Sequence, residues 1–271
     1  AKMVSLCMTE SNDADLTRDA FLGGHVQAWQ PRLGYRAATD PVFLAAAVPA
    51  RAEQTVLELG CGVGVASLCL AARVPGMRLT GVEVQGDYAA LARRNAAANN
   101  ADLTVLDADL RALPPDTRIP WHRVINRSFD HVIANPPYYA AHGPTAQNMG
   151  RDRALREQTP LADWLDIGLR RLRDGGYLSV IHLTDRLPDI LAALQGRASA
   201  VVLPLAARAQ RPARRVIVQA RKGGRSPFTL LPPLVIHQGD HHPGDGEYFT
   251  DAVRSIMRDL GALDLAAMAR S

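Results

Sequence analysis

The segment Glu58-Leu59-Gly60-Cys61-Gly62-Val63-Gly64 constrains the fold more than any other part of this chain. It joins an apolar run, Gln54–Leu59, to a helical pattern, Val65–Arg73. Glycines at such a junction let the backbone turn sharply and let a ligand approach where a Cβ would stand. The dinucleotide spacing G-x-G-x-x-G requires a third glycine at 65 or 67, which are Val65 and Ser67. A nicotinamide-dinucleotide reading therefore fails on spacing.

The rest of the middle repeats the strand-then-helix alternation. Strands are expected at Arg78–Glu83, Leu103–Leu106, Phe129–Ala134 and Gly176–Leu183, with helices at Asp87–Asn99, Leu161–Arg173 and Asp185–Leu194. These runs are apolar without strict alternation, as strands buried on both faces are. The pattern predicts an α/β protein with a doubly wound, mainly parallel, seven-stranded, Rossmann-like sheet. Ala200–Leu205 and Arg214–Arg221 have no helix between them and should form an antiparallel pair at one end. Upstream, Thr39-Asp40-Pro41 reads as a capped helix start with proline at the first turn. The expected organisation is a lead with a packed helix at 1–54, a core at 55–222, and a Pro- and Gly-rich extension at 223–271 that turns helical near Asp251–Leu260. Residues 1–17 read as a polar, mobile start.

A sheet of this kind binds its ligand outside the carboxyl ends of the strands, and the candidate residues fall there. Glu83 closes the second strand, where a carboxylate can accept both ribose hydroxyls of an adenosine. Asp109 follows the third strand, a second carboxylate at the same edge. Val84 and Leu110 flank these two positions. After the fourth strand comes Asn135-Pro136-Pro137-Tyr138-Tyr139. Two prolines are poor strand residues and stiffen the turn. The Asn135 side-chain oxygen and the Pro136 carbonyl can then act as rigid acceptors for the two hydrogens of a planar amino group. Tyr138 offers an aromatic face for a flipped-out base, a contact of roughly 1–3 kcal/mol. No cysteine lies beside this loop, so covalent attack on a pyrimidine has no nucleophile there.

The acidic-x-Gly-x-Gly-x-Gly segment resembles the cofactor loop of class I methyltransferases, and Asn135–Tyr138 resembles the Asn/Asp-Pro-Pro-Tyr motif of their amino methyltransferases. That resemblance implies S-adenosyl-L-methionine as cofactor, held by Glu58, Gly60, Cys61, Gly62, Gly64, Glu83, Val84, Asp109, Leu110 and Asn135. It implies Asn135, Pro136, Pro137 and Tyr138 as the catalytic loop. From about Leu22 to Arg221 the chain is similar to the bacterial tRNA1(Val) (adenine-N6)-methyltransferase family, in which the segment matching Thr39-Asp40 lies near the cofactor. Thr39 is then an expected cofactor contact, and tRNA the expected substrate. Three features depart from the family: Ala38 replaces a usual glycine, Tyr139 a usual phenylalanine, and Pro227–Ser271 has no counterpart. The same tetrad also occurs in guanine-N2 enzymes of ribosomal RNA and glutamine-N5 enzymes of release factors. The latter carry a larger N-terminal domain than the 54 residues that precede Thr55 here. A non-catalytic RNA-binding module is the remaining alternative, one that would not need the intact tetrad.

The formal charge is +4, almost all of it from arginine, since the only lysines are Lys2 and Lys222. Arg208, Arg211, Arg214, Arg215, Arg221, Lys222 and Arg225 gather in sequence around the last strand pair, near Phe228. Arg151, Arg153 and Arg156 follow the tetrad, in a polar segment, Asn148–Gln158, that reads as a flap. Planar guanidinium groups suit phosphate recognition, although an edge strand also gains from charge. His237, Asp240, His241, His242 and Asp245 share a loop rich in Gly and Pro, read as solvated rather than metal-binding. Cys7, Cys61 and Cys69 form no Cys-x-x-Cys pair, and no apolar run is long enough to span a bilayer. A reducing cytoplasm is the expected setting.

Overall fold

The computed structural model of the protein describes residues 13–113, 128–140, 156–157, 159–241, 244 and 246–270. Arg151, Arg153, His242, Asp245, the first twelve residues and most of the expected flap lie outside the described residues.

The apolar runs become one mixed sheet, beside which β7 (Tyr139–Ala140) and β8 (Arg156–Glu157) form a separate short parallel pair. Its parallel part takes β3 (Thr55–Leu59), β4 (Arg78–Glu83), β5 (Leu103–Asp107), β6 (Phe129–Ala134) and β9 (Leu172–Leu183), in the order β5-β4-β3-β6-β9. Beyond β9 lie β11 (Arg215–Lys222) and then β10 (Ala198–Ala206), with β11 antiparallel to both neighbours. The order reverses between β3 and β6, and a ligand site is expected at the carboxyl edge there. The expected seven strands are all present, and two short ones extend the sheet. Thr229–Leu230 (β12) and Leu234–Val235 (β13) each pair in parallel with β10. They lie in the tail read as loop, because two-residue strands leave no periodicity to detect.

Helices α1 (Asp40–Ala47), α2 (Val65–Arg73) and α3 (Gly86–Ala98) follow the predicted starts within a residue. Helix α4 (Leu161–Arg171) ends two residues early and passes directly into β9. Helix α5 (Leu187–Leu194) follows β9 through a single 3-10 turn.

The N-terminal lead holds an unpredicted hairpin, β1 (Leu16–Phe21) and β2 (Val26–Pro31), in antiparallel register. The edge of β2 that faces away from β1 is met by side chains at α3 and its C-cap rather than by a further strand. Asn95, fully buried, accepts from the Trp29 N–H at 2.8 Å and donates to the Trp29 carbonyl at 3.1 Å. Asn99 does the same for Gln27, at 3.0 and 2.7 Å. Two amides thus satisfy an edge that would otherwise stay open to pairing with another chain. Helix α6 (Asp251–Arg258), in the C-terminal extension, buries Val253 and Ile256 in the same apolar cluster as Leu44 and Val26. The Leu263 N–H reaches the Ala46 carbonyl at 2.8 Å, tying this tail to α1. Among the described residues no helix is long and apolar enough to cross a membrane.

Candidate active site

At the carboxyl edge of the parallel strands lies a cavity of about 410 Å³, within the range of small-molecule and cofactor sites. Its floor is the turn between β3 and α2. Gly60, Gly62 and Gly64 all take positive φ, at 62°, 53° and 88°, a region other residues enter at a cost. A Cβ at Gly60 would stand 2.5 Å from the ring of Trp164, which forms the back wall. A Cβ at Gly62 would meet no atom within 4 Å, because that side of the loop faces the open cavity. Gly64 differs from the expectation. It packs toward Leu103 and Ala92 and is absent from the cavity wall, being needed to start α2 in a left-handed conformation.

Two buried carboxyl groups set the electrostatics. Glu83, at the end of β4, accepts the Gly62 N–H at 2.9 Å on one oxygen and the Gln85 N–H at 2.9 Å on the other. Burial raises its pKa, and these backbone donors partly offset the rise. Glu58, at the end of β3, is 4% exposed and turns one oxygen toward the N-terminus of α2. That oxygen accepts the Ser67 N–H at 3.1 Å and the Ser67 hydroxyl. Desolvation still lifts the Glu58 carboxyl from 4.5 to about 8. Cys61 is buried against Ala89, Ala92 and Val105, and burial raises its thiol well above the ordinary range. Val84, 58% exposed, and Leu110 form an apolar rim opposite.

Asp109 is on the wall, but its carboxylate is engaged. Arg111 donates to it from Nη2 at 2.8 Å and from its backbone N–H at 2.9 Å, and the side-chain contact lowers the Asp109 pKa. Thr39 departs from the expectation: it is exposed and off the cavity wall. Its carbonyl is used by the Val42 and Phe43 N–H groups at the start of α1, so the segment turns Tyr35, Ala37 and Pro41 inward instead. Tyr35 was not apparent from the sequence. Its backbone N–H donates to the Tyr88 hydroxyl at 3.1 Å, and that hydroxyl donates to the Tyr35 carbonyl at 3.1 Å.

The tetrad after β6 forms the cavity's other side. Asn135 donates from Nδ2 to the Tyr35 hydroxyl at 3.4 Å, and its Oδ1 lies 3.2 Å from the Tyr138 hydroxyl. Tyr138 also donates to Asp40, which in turn pairs with Arg215 at 2.6 Å. Burial and the Asp40 charge raise the Tyr138 pKa, so the phenol stays protonated. Its ring is less free than expected, with Arg215 over it at 5.0 Å and His182 edge-on at 5.4 Å.

The basic residues do not form one cluster. Arg215 pairs in register with Leu183 at the carboxyl edge, and Arg221 with Tyr177 at the opposite edge. Six residues of strand separate them, about 20 Å. Arg208, Arg211 and Arg214 lie at the edge of the sheet that carries the cavity, with Arg208 donating to the Gln238 and Gly239 carbonyls at 2.7 and 2.8 Å, whereas Arg221, Lys222 and Arg225 lie at the far end of the sheet. Lys222 is occupied there by the Leu172 carbonyl at 2.7 Å. In the His- and Asp-containing loop, His237 bonds the Glu247 carbonyl at 2.9 Å and stacks on Phe249. Among the described residues no three His, Cys, Asp or Glu side chains converge as a metal site.

Residues 39–152 match the family model of the methyltransferase small domain. The chain is 31% identical over 237 residues to the tRNA1(Val) (adenine(37)-N6)-methyltransferase of Dickeya chrysanthemi, covering 84% of this chain and 88% of that one. It is likewise 31% identical over 238 residues to the protein of that name from Porphyromonas gingivalis, covering 82% and 83%. Among solved structures it is similar to a predicted O-methyltransferase, protein Atu636 of Agrobacterium tumefaciens, with a TM-score of 0.65, 27% identity and coverage of 83% and 98%. The fold is shared with the Thermus thermophilus 16S rRNA N2 G1207 methyltransferase solved with AdoMet and guanosine, at TM-score 0.51, 18% identity and coverage of 76% and 50%. With its sheet order, its glycine-floored cavity and relatives spanning most of its length, the chain belongs to the tRNA1(Val) (adenine(37)-N6)-methyltransferase family and is an S-adenosylmethionine-dependent class I methyltransferase.

Proposed function

We propose that the protein methylates the N6 amino group of an adenine in tRNA, with Asn135–Tyr138 as its catalytic loop. The observation that carries this reading is the convergence of Asn135, Tyr138 and Tyr35 on the cavity whose floor is Gly60–Gly62. Relatives named for adenine-N6 methylation of tRNA support the substrate over guanine-N2 or glutamine-N5.

The residues present fit the cofactor. The open side of Gly62 admits a ligand against the backbone, and Glu83 sits where ribose hydroxyls could donate to it. Cys61, Val84 and Leu110 would flank its apolar parts, and Asp109 its adenine edge. Glu58 lies beneath the loop as a further wall residue. When bound, S-adenosylmethionine supplies a methyl group on a positively charged sulfur. The chain's task is to make a poor nucleophile attack it. An adenine amino nitrogen has its lone pair delocalised into the ring. Asn135 Oδ1 and the Pro136 carbonyl can each accept one of its hydrogens, aiming the lone pair and favouring the positive charge that develops on nitrogen. This is positioning with electrostatic preorganisation. Tyr138 has one hydroxyl proton, which it keeps and donates in a hydrogen bond to the Asp40 carboxylate, so the Asn135 oxygen keeps its lone pairs for the substrate. Arg208, Arg211 and Arg214 would receive tRNA phosphates beside the cavity.

The test is transfer from tritiated S-adenosylmethionine to tRNA, ribosomal RNA and release factors, with labelled RNA digested to nucleosides. Label in N6-methyladenosine from tRNA is expected. Label in N2-methylguanosine or in protein would overturn the substrate, and none anywhere would favour a non-catalytic RNA-binding role.

A further inference from the structure

Arg215 opens β11 at the level of Leu183, beside the loop that follows β6. Its Nε donates to Asp40 Oδ2 at 2.6 Å. Its guanidinium carbon lies 5.0 Å from the centroid of the Tyr138 ring. The same Asp40 oxygen receives the Tyr138 hydroxyl. From the other neighbouring strand, the fully buried His182 meets the Tyr138 ring edge-on at 5.4 Å. The His182 Nδ1 accepts the Leu183 N–H at 2.8 Å, so this imidazole is itself fixed to β9.

Arg215 and Asp40 are 35% and 17% exposed at their side chains. An ion pair so placed contributes little to stability, commonly under about 1 kcal/mol. Its consequence is orientational. A guanidinium above the ring and a carboxylate at the hydroxyl restrict both the plane of Tyr138 and the direction of its O–H. Tyr138 is three residues after Asn135, on a turn already stiffened by Pro136 and Pro137.

We infer that Arg215 is a positioning residue for methyl transfer: it holds Asp40, Asp40 holds the Tyr138 hydroxyl, and the held hydroxyl leaves Asn135 Oδ1 to the substrate amino group. This rests on the catalytic role proposed for Asn135. It removes Arg215 from the phosphate-binding arginines and gives Asp40 a function beyond starting α1.

Arg215→Ala, Arg215→Lys and Asp40→Asn are compared in the full chain. For Arg215→Ala, kcat should fall about 100-fold, the scale of a small misplacement of reacting groups. Cofactor Kd, KM for tRNA and the salt dependence of tRNA binding should stay within about twofold of wild type. Arg215→Lys should recover part of kcat. The pair Arg215→Ala with Asp40→Asn should be no slower than Arg215→Ala alone, because the two act as one unit. A raised KM with unchanged kcat would make Arg215 a phosphate contact and overturn the inference. A second readout needs no substrate: amide hydrogen exchange at Tyr138 and Tyr139 should quicken in Arg215→Ala and Asp40→Asn, with Gly60–Gly64 unchanged. Unaltered exchange would overturn it. Wild-type protein inactive on every RNA would instead count against the function proposed above, and the exchange measurement would still decide the role of Arg215.

Discussion

The Gly62 N–H donates to Glu83 Oε2 across 2.9 Å, so the carboxylate that ends β4 is tied to the glycine turn that ends β3. One acidic side chain thereby shapes the floor and offers its remaining lone pairs to the cavity. Glu83→Ala should weaken S-adenosylmethionine binding by about 10- to 100-fold, given about 1.5–3 kcal/mol for a hydrogen bond to a charged group. Titration calorimetry on the purified variant measures this. An unchanged Kd would refute the ribose assignment.

Asn135 lies on the tetrad side of the cavity and contacts Tyr35 and Tyr138. Asn135→Ala should lower turnover by about 10²–10³, the usual loss for one preorganised polar group. Cofactor affinity should change by less than about twofold. Single-turnover kinetics beside calorimetry separates the two, and a variant retaining full turnover would sink the proposed mechanism.

The glycine turn makes two opposite predictions. Gly60→Ala places a methyl 2.5 Å from Trp164, a buried side chain whose Nε1 donates to the Thr159 carbonyl at 3.2 Å. Overpacking of that kind costs about 1–3 kcal/mol, with about 1 more for a positive φ. Thermal unfolding should move down by roughly 5–10 °C. Gly62→Ala bears only the backbone cost, about 1 kcal/mol, yet its methyl enters the cavity. Its cofactor affinity should fall more than tenfold. The reverse assignment of stability and binding loss would show that the cofactor does not lie over Gly62.

How much of this was legible in the sequence depends on the range of the interaction. Strands β3, β4 and β6, the turn at Gly60 and the placement of Glu83 follow from local patterns, and so they were visible. The β1–β2 hairpin was not, because its second strand is satisfied by Asn95 and Asn99, 66 to 72 positions away. The Asp40–Arg215 pair spans 175 positions and carries no local signature. Sequence proximity even misled: Arg215 and Arg221 share a strand but face opposite ends of the sheet. Tyr35 escaped because its place on the wall depends on the Tyr88 hydroxyl holding its backbone.

Burial of Glu58 gives a pH signature. Its pKa is about 8 in the folded protein against an ordinary 4.5. A raised carboxyl pKa makes its contribution to stability fully present below about pH 4.5 and lost as pH rises through 8. Buried His131 and His182, both lowered to about 4, act oppositely, losing stability as pH falls from about 6.5 through 4. Comparison with Glu58→Gln cancels the histidines. The variant's advantage over wild type should grow from pH 4.5 to 8 and reach on the order of 3 kcal/mol near pH 7. Urea unfolding of the cofactor-free proteins at pH 5 and 8 tests this, and a difference independent of pH would remove Glu58 as the cause.

The division of the arginines by β11 supplies its own control. Arg211 and Arg214 are exposed on the connection between β10 and β11, at the same edge of the sheet as the cavity. Arg221 and Arg225 are equally exposed, carry the same charge, and lie at the other edge. Net charge alone would make the two pairs interchangeable, since each substitution removes one positive charge. Contact with phosphates would not, because released counterions follow the groups that touch the backbone. Arg211→Ala with Arg214→Ala should therefore reduce the slope of log K against log salt for tRNA by about 2. Arg221→Ala with Arg225→Ala should leave that slope within error of wild type. Filter binding across a potassium chloride series reads both. Equal slopes for the two double variants would mean that tRNA feels the protein's charge as a whole and that the β10–β11 connection is no phosphate site.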